Sequence, residues 1–371
     1  MNAKRVAPIP WWSISFQHGE AQAAADAIRH RHVSQGPIVA EFERRLGERL
    51  DVPFVVATTS GSTALLMAMW AAGVGPGTEV IVPARTWVAT GHAAALLGAQ
   101  VRLVDVDSRS LISVSAVKRL ITANTRALVG VHLNGRAADT GGLADLGAEH
   151  GLTVIEDAAQ ALGSIGPLGP LGTAGDMGCF SLSVAKIIST GQGGFVTTHS
   201  EDRYAALIAM RTHGVEDVQR AKWVSPGFNF RFTDILASVG LVQLEGLEAN
   251  LSRARAIEDQ YRDGLSDCTW VKLIQRHESE AGPYIEVLVS DRDSLAKCLQ
   301  EQAIETRPFY PSLNSATYWS GQGEFPQAAQ FAKHGLWLPS GPALSEDSID
   351  RVIAAVRSWD EHQRGDSSVH S

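Results

Sequence analysis

Cysteine is scarce in this chain: Cys179, Cys268 and Cys298 are the only three in 371 residues. An odd number without paired spacing argues against a disulfide framework or a zinc site, and it fits a reducing cytoplasm. Positive charge is not in excess either. Thirty-two Lys and Arg stand against 40 Asp and Glu, a net charge of -8, and the basic residues are scattered. That distribution offers neither a nucleic-acid footprint nor a polybasic membrane patch. Long apolar runs are missing as well: the longest, ALLMAMWAAGV at 64–74, is too short to span a bilayer. The opening MNAKRVAPIPWWSISF has no continuous apolar stretch of the kind an export signal needs. What remains is 44% hydrophobic and 19% charged residues, enough to bury a large core, over a length that suggests two domains.

Short β-rich runs alternate with helical patterns, which indicates an α/β sheet. PFVVATTSGSTALLMAMWAAG reads as strand, glycine turn and helix; TEVIVPA and AQVRLVDVD read as strands around a small-residue helix; TRALVGVHLNG and GLTVIEDAAQ continue the series. Each strand ends in polar residues, where open sheets of this kind bind their ligands. The pattern over 240–265 predicts one long amphipathic helix leading out of this sheet. YIEVLVS, SLAKCLQEQAIETRPFY and SIDRVIAAVRSW beyond it read as a smaller α+β unit. The expected division is 1–245 and 246–363, with a polar, disordered tail over 364–371.

Three stretches carry chemistry. TTSGSTAL at 58–65 puts free backbone N–H groups and hydroxyls at the positive end of a helix, which suits a phosphate, although for an isolated S-G-S-T an N-cap without a ligand is the commoner explanation. It is neither a Walker loop nor a dinucleotide fingerprint. In VIEDAAQALGS, Glu156 and Asp157 end an apolar strand, where a carboxylate can cap a helix, bind a metal or hold a cationic ring nitrogen. CFSLSVAKIISTGQGGFVTT places one lysine, Lys186, in a run that otherwise reads as buried strand. An amine, a strand-end carboxylate and a phosphate cradle together are the parts of a Schiff-base cofactor site. Pyridoxal phosphate also needs a flat surface, which Trp87 in PARTWVAT can supply unless it is simply core.

SGSTAL, GPGTEVIVPARTWVAT, VHLNGRAAD, VIEDAAQALGS, GDMGCFSLSVAK, TGQGGFVTT and GFNFRFTDILASVGLVQLE occur in this order. In these motifs the chain resembles the nucleotide-sugar aminotransferases of the DegT/DnrJ/StrS type, fold type I enzymes that depend on pyridoxal phosphate. The resemblance runs from GPIVAEFERRL at 36–46 to LPSGPALSEDSIDRVIAAV at 338–356. It implies a large domain with a mainly parallel sheet flanked by helices, and a smaller α+β domain. It also implies that Lys186 carries the cofactor, that Asp157 pairs with the ring nitrogen and that Trp87 stacks on the ring. Gln160 would approach the ring hydroxyl, and Gly61, Ser62 and Ser181 would hold the phosphate. Asn229 and Arg231 would reach the cofactor and substrate of a neighbouring subunit in a homodimer, with Arg307 and Tyr310 on the substrate as well.

Three positions depart from the family's usual pattern: Gln192 in GQGG, Asn134 in VHLNG and Ser62 in SGSTAL. The first two are expected to alter substrate contacts. Members acting on carbon 4 of the sugar tend to carry N-aromatic-R, as NFRF does here, and ETRPFYPSL resembles the same group. The resemblance thus implies transfer of an amine from L-glutamate to carbon 4 of a 4-keto-6-deoxyhexose on a nucleotide, dTDP above all. Carbon-3 amination, amination of a keto-cyclitol with glutamine as donor, and a non-catalytic binding protein on the same fold are the alternatives. The last would be expected to lack Lys186 or Asp157.

Overall fold

The computed structural model of the chain describes residues 7–16, 18–217 and 222–367. Helices α1 (His18–Arg29) and α2 (Pro37–Leu50) precede the first strand. Strand and helix then alternate as the sequence suggests: β1 (Phe54–Thr58), α3 (Gly61–Ala71), β2 (Glu79–Pro83), α4 (Ala89–Leu96), β3 (Gln100–Val104), α5 (Val114–Leu120), β4 (Thr125–Val131), α6 (Thr140–His150) and β5 (Thr153–Asp157). A short hairpin, β6 (Ile165–Gly166) with β7 (Gly169–Pro170), leads into β8 (Met177–Ser181) and β9 (Gly194–Thr198), and α7 (Glu201–Arg211) follows. A second short pair, β10 (Val215–Asp217) and β11 (Lys222–Trp223), comes before α8 (Asp234–Glu245) and α9 (Leu247–Gly264).

Seven strands form one sheet in the order β1-β9-β8-β5-β4-β2-β3. All run parallel except β9, which is antiparallel to both its neighbours. A sheet covered on both faces needs strands that are apolar on both sides, and the EVIVP of β2 is buried at every position. Helix α3 is apolar around most of its circumference for the same reason, lying between β8 and β9 on one side and α4 and α7 on others. The remaining elements are β12 (Val271–Leu273), β13 (Ile285–Val289), α10 (Arg292–Glu301), β14 (Arg307–Pro308), α11 (Pro326–His334), β15 (Gly335–Leu338) and α12 (Glu346–Ser367). Their strands make an antiparallel sheet in the order β12-β13-β15-β14. Tyr261 of α9, Leu295 and Leu299 of α10, and Ile349 and Val352 of α12 share the core beside it.

An extended N-terminal strap ties onto this smaller sheet's surroundings. The Ile9 N–H donates to Ala303 O, the Glu305 N–H to Ile9 O, the Ser13 N–H to Ser340 O and the Ser340 N–H to Trp11 O, all at 2.9–3.0 Å. The strap's aromatic residues thereby reach the junction of the two sheets.

Three local expectations change. The single helix expected over 240–265 is two, α8 and α9, meeting at Gly246. Glycine is a weak helix former, and the halves follow different partners, α8 packing on α1 and α2 and α9 on α12. Lys186 lies in the loop between β8 and β9 rather than in a strand, so its neighbours are small because the chain turns there. Helix α12 continues to Ser367, into the stretch for which the sequence suggests disorder, and 368–371 fall outside the described residues. Among the described residues, no helix is long and apolar enough to cross a membrane.

Candidate active site

The start of α3, the connection from β2 to α4, the carboxyl ends of β4, β5 and β8 and the strand β14 surround a cavity of about 550 Å³. From the large sheet come Gly61, Ser62, Trp87, Asp157 and Gln160. Ser181 and Lys186 enter from β8 and its loop, and Arg307 and Tyr310 from the β14 segment. Asn229 and Arg231 do not line the cavity. Asn229 is exposed, its Oδ1 accepts from Arg231 Nε at 3.0 Å, and Arg231 bridges to Thr58 at the end of β1.

The geometry of the α3 start follows from its capping. Ser60 Oγ accepts from the Thr63 N–H at 3.1 Å, and Thr63 Oγ1 accepts from the Ser60 N–H at 2.8 Å. This reciprocal cap leaves the N–H groups of Gly61 and Ser62 at the helix's positive end. A Cβ at Gly61 would come within 2.8 Å of the Ser181 Cβ, so only glycine lets β8 approach the helix this closely. The result is a compact set of N–H and hydroxyl donors fitted to a phosphate.

Alternation along β5 separates the two strand-end carboxylates. Glu156 points away from the cavity and is consumed structurally. It accepts from the N–H groups of Gly172, Ala174 and Gly175 at 3.2, 2.8 and 2.6 Å, and from Thr140 Oγ1 at 3.2 Å. His132 completes this shell: the Ala138 N–H donates to its Nδ1 at 3.1 Å, so Nε2 carries the proton and donates to Glu156 Oε2 at 2.6 Å. Burial works to raise the Glu156 pKa, but these donors outweigh it and hold the carboxyl low.

Asp157 faces the cavity with 5% of its surface exposed. Thr90 Oγ1 donates to its Oδ2 at 2.7 Å and the Ala159 N–H to its Oδ1 at 3.2 Å. Burial dominates and pushes this carboxyl up, against those two donors and the attraction of Lys186. A buried carboxylate with a raised pKa is one that gains from a further cation, as a pyridinium nitrogen would be. The Lys186 amine shows the converse: burial pushes its pKa down to about 8, while Asp157 pulls it up. A larger share of it is therefore neutral and nucleophilic near pH 7 than of an ordinary lysine.

Trp87 is 52% exposed although large and apolar, and its ring lies 4.8 Å from that of Tyr310. It thus presents a surface to the cavity rather than filling the core. Gln160 is oriented by the Asn134 N–H, which donates to its Oε1 at 2.8 Å and leaves the amide nitrogen as its donor end. These residues fit pyridoxal phosphate in each required part: donors for a phosphate, an amine for an aldehyde, an anion for the ring nitrogen and a flat face for the ring.

Asn134, expected to alter substrate contacts, is 1% exposed and does not line the cavity. Its Nδ2 donates to Tyr284 O and its Oδ1 accepts from the Tyr284 N–H, both at 2.9 Å, in a left-handed backbone conformation (φ 52°) that asparagine tolerates. It acts on the cavity through Gln160 and Tyr284. Gln192, by contrast, does line it.

Sequence reasoning missed the aromatic wall formed by Trp11, Tyr284 and Trp337. Tyr284 Oη donates to Ala185 O at 3.0 Å, and its ring centre is 6.0 Å from Lys186 Nζ. Trp337 Nε1 donates to Glu286 Oε1 at 3.2 Å. Glu286 is buried against Arg136 and Arg85, and although burial opposes ionisation, their charges hold its pKa at about 2. Nothing but an aromatic residue beside a strand marks these positions in the sequence.

A model of the DegT/DnrJ/EryC1/StrS aminotransferase family matches residues 15–357. The chain is 33% identical to the GDP-perosamine synthase of Caulobacter vibrioides, over 87% of this chain and 90% of that protein. It is 30% identical to a dTDP-3-amino-3,4,6-trideoxy-alpha-D-glucose transaminase of Streptomyces venezuelae, over 95% of this chain and 96% of the relative. The solved PLP form of Spr1654 from Streptococcus pneumoniae matches with a TM-score of 0.90 at 25% identity, covering 96% of this chain and 99% of that one.

Proposed function

From the premise that the chain belongs to the DegT/DnrJ/EryC1/StrS aminotransferase family, we propose that it transfers an amine from L-glutamate to carbon 4 of a 4-keto-6-deoxyhexose linked to a nucleoside diphosphate, dTDP in the first instance. The protein is a pyridoxal-phosphate-dependent sugar transaminase. The observation that carries the reading is one cavity holding the Lys186 amine, the buried Asp157 carboxylate and the donor cradle of Gly61, Ser62 and Ser181.

When bound, the cofactor supplies an aldehyde that links covalently to an amine, and a ring that accepts a carbanion's electrons. Gly61, Ser62 and Ser181 would hold its phosphate, Trp87 would cover its ring, Gln160 would meet its hydroxyl, and Asp157 would keep its ring nitrogen protonated. Lys186 Nζ would be the base that takes the proton from the donor's α-carbon, and in the second half-reaction the acid that delivers one to the sugar carbon. Arg307 and Tyr310 border the space left for the substrate.

Carbon 4 rests on NFRF at 229–232 and on ETRPFYPSL at 305–313. The names of the relatives span GDP- and dTDP-linked sugars, and one of them specifies a 3-amino product, so carbon 3 is the second reading. Asn229 and Arg231 complete the neighbouring site in a homodimer, in keeping with their position outside this cavity and with the exposed Trp223, Val224 and Phe228 on the same segment. The same reading divides the chain into a cofactor domain through residue 245 and a smaller domain from 246.

Incubation of the loaded enzyme with glutamate and a dTDP- or GDP-linked 4-keto-6-deoxyhexose should give an amine at carbon 4, read by NMR of the product. Amine at carbon 3, or turnover of a free keto-cyclitol alone, overturns the regiochemistry. Sedimentation should give a dimer, and a fully active monomer would remove the role assigned to Asn229 and Arg231.

A further inference from the structure

Arg307 is an exposed cation on the wall of the cavity, and among the described residues it has no carboxylate partner. It is nevertheless held. Its Cζ lies 4.1 Å from the centre of the Trp11 ring, within cation–π range. Trp11 is itself fixed: 7% exposed, it stacks on Tyr284 at 5.4 Å and 27°, and its backbone N–H donates to Glu305 Oε2 at 3.2 Å. The strap carrying it is pinned at Ile9 and Ser13, and Trp12 Nε1 donates to Val184 O at 2.7 Å, two residues before Lys186.

The way a cation is held decides what it can do. A salt bridge would fix the guanidinium but neutralise its charge and occupy its N–H donors. An aromatic face fixes the plane of the group and leaves both charge and donors available. We infer that Trp11 is a positioning residue whose ring presents Arg307 to an anionic group of a substrate, either a carboxylate of the amine donor or the diphosphate of the nucleotide. The inference rests on the proposed reaction for those two candidates, and on this chain's own residues for the mechanism.

The test is a double-mutant cycle read by calorimetric binding to the pyridoxal-phosphate-loaded enzyme, with glutarate, dTDP and GDP as probes. Trp11→Ala should weaken the probe that Arg307 receives by about 2- to 30-fold, the span of a cation–π contact. Trp11→Phe, which keeps a ring, should recover most of that loss, and Arg307→Ala should weaken the same probe at least as much as Trp11→Ala. In an Arg307→Ala background, Trp11→Ala should change affinity by less than about twofold. A loss confined to glutarate assigns the donor carboxylate, and a loss confined to the nucleotides assigns the diphosphate. Either supports the inference, even if no nucleotide-linked ketosugar proves to be aminated. Unchanged affinity for every probe, or a Trp11→Ala loss that persists at full size without Arg307, overturns it.

Discussion

Replacing Asp157 by Asn keeps the shape of the side chain and an oxygen to accept from the Ala159 N–H, and its amide nitrogen can donate to Thr90 Oγ1, which then donates to Trp87 O; what the change removes is the charge. Without that charge the buried ring nitrogen of the cofactor loses the anion that keeps it protonated. Breaking one side of a buried ion pair costs about 3–5 kcal/mol, and at about 1.4 kcal/mol per power of ten the glutamate half-reaction should slow by roughly two to four powers of ten. The assay is the single-turnover loss of the cofactor's visible absorbance on adding glutamate. A stability measurement separates this from misfolding, and its sign is opposite to that of the rate. The Asp157 carboxyl is raised in the cofactor-free fold, chiefly by burial, so the folded state holds its proton more tightly than the unfolded chain does. Stability therefore declines as pH climbs from the unfolded pKa through the folded one. Asn escapes it. The cofactor-free Asp157→Asn protein should be at least as stable as the parent at pH 7, while gaining less from added cofactor. A rate loss below about tenfold would refute the reasoning and leave Asp157 as a residue that holds the turn after β5 through the Ala159 N–H.

Two further outcomes follow from the same geometry. Because burial pushes the Lys186 amine down to about 8, capture of pyridoxal phosphate by the cofactor-free protein should speed up about tenfold per pH unit below that value and level off above it. Stopped-flow absorbance across pH 6–10 reads this, and an inflection near the ordinary lysine value would contradict it. Asn134→Ala strips the buried Tyr284 N–H of its acceptor and puts alanine in a left-handed conformation, whereas the Tyr284 carbonyl keeps Arg276 Nη1 at 3.2 Å. The expected loss is ~2–4 kcal/mol in denaturant unfolding, and a loss under ~1 kcal/mol would show that the Tyr284 clamp is dispensable.

The residues legible in the sequence are those whose chemistry sits at the end of a regular element. Ser60 and Gly61 announce a helix start after an apolar strand, and Asp157 ends β5; both positions are fixed by periodicity, and the structure brings Gly61, Asp157 and Lys186 to one cavity. The residues by themselves do not say which of Glu156 and Asp157 faces the cavity, because a one-residue slip in register exchanges the faces of a strand; the family resemblance alone points to Asp157. The loop around Lys186 was hidden because small and apolar residues suit a tight turn beside a cavity as well as a buried strand. Trp11, Tyr284 and Trp337 were hidden for a different reason. An aromatic residue beside a strand is ordinarily core, and their role comes from contacts between segments more than fifty residues apart, such as Trp11 on Tyr284 and on Arg307. Asn134 could be seen as unusual, but its direction is set by hydrogen bonds to Tyr284, 150 positions away.

The central claim is that the Lys186 amine is the covalent attachment point of the cofactor. Sodium borohydride reduction of the loaded protein, followed by proteolysis and mass spectrometry, tests it most directly. The account requires the reduced phosphopyridoxyl group on Lys186 alone, with the yellow absorbance abolished, and no adduct in the Lys186→Ala protein. An adduct at a different lysine, or one that persists in Lys186→Ala with turnover intact, would contradict the assignment of the whole site.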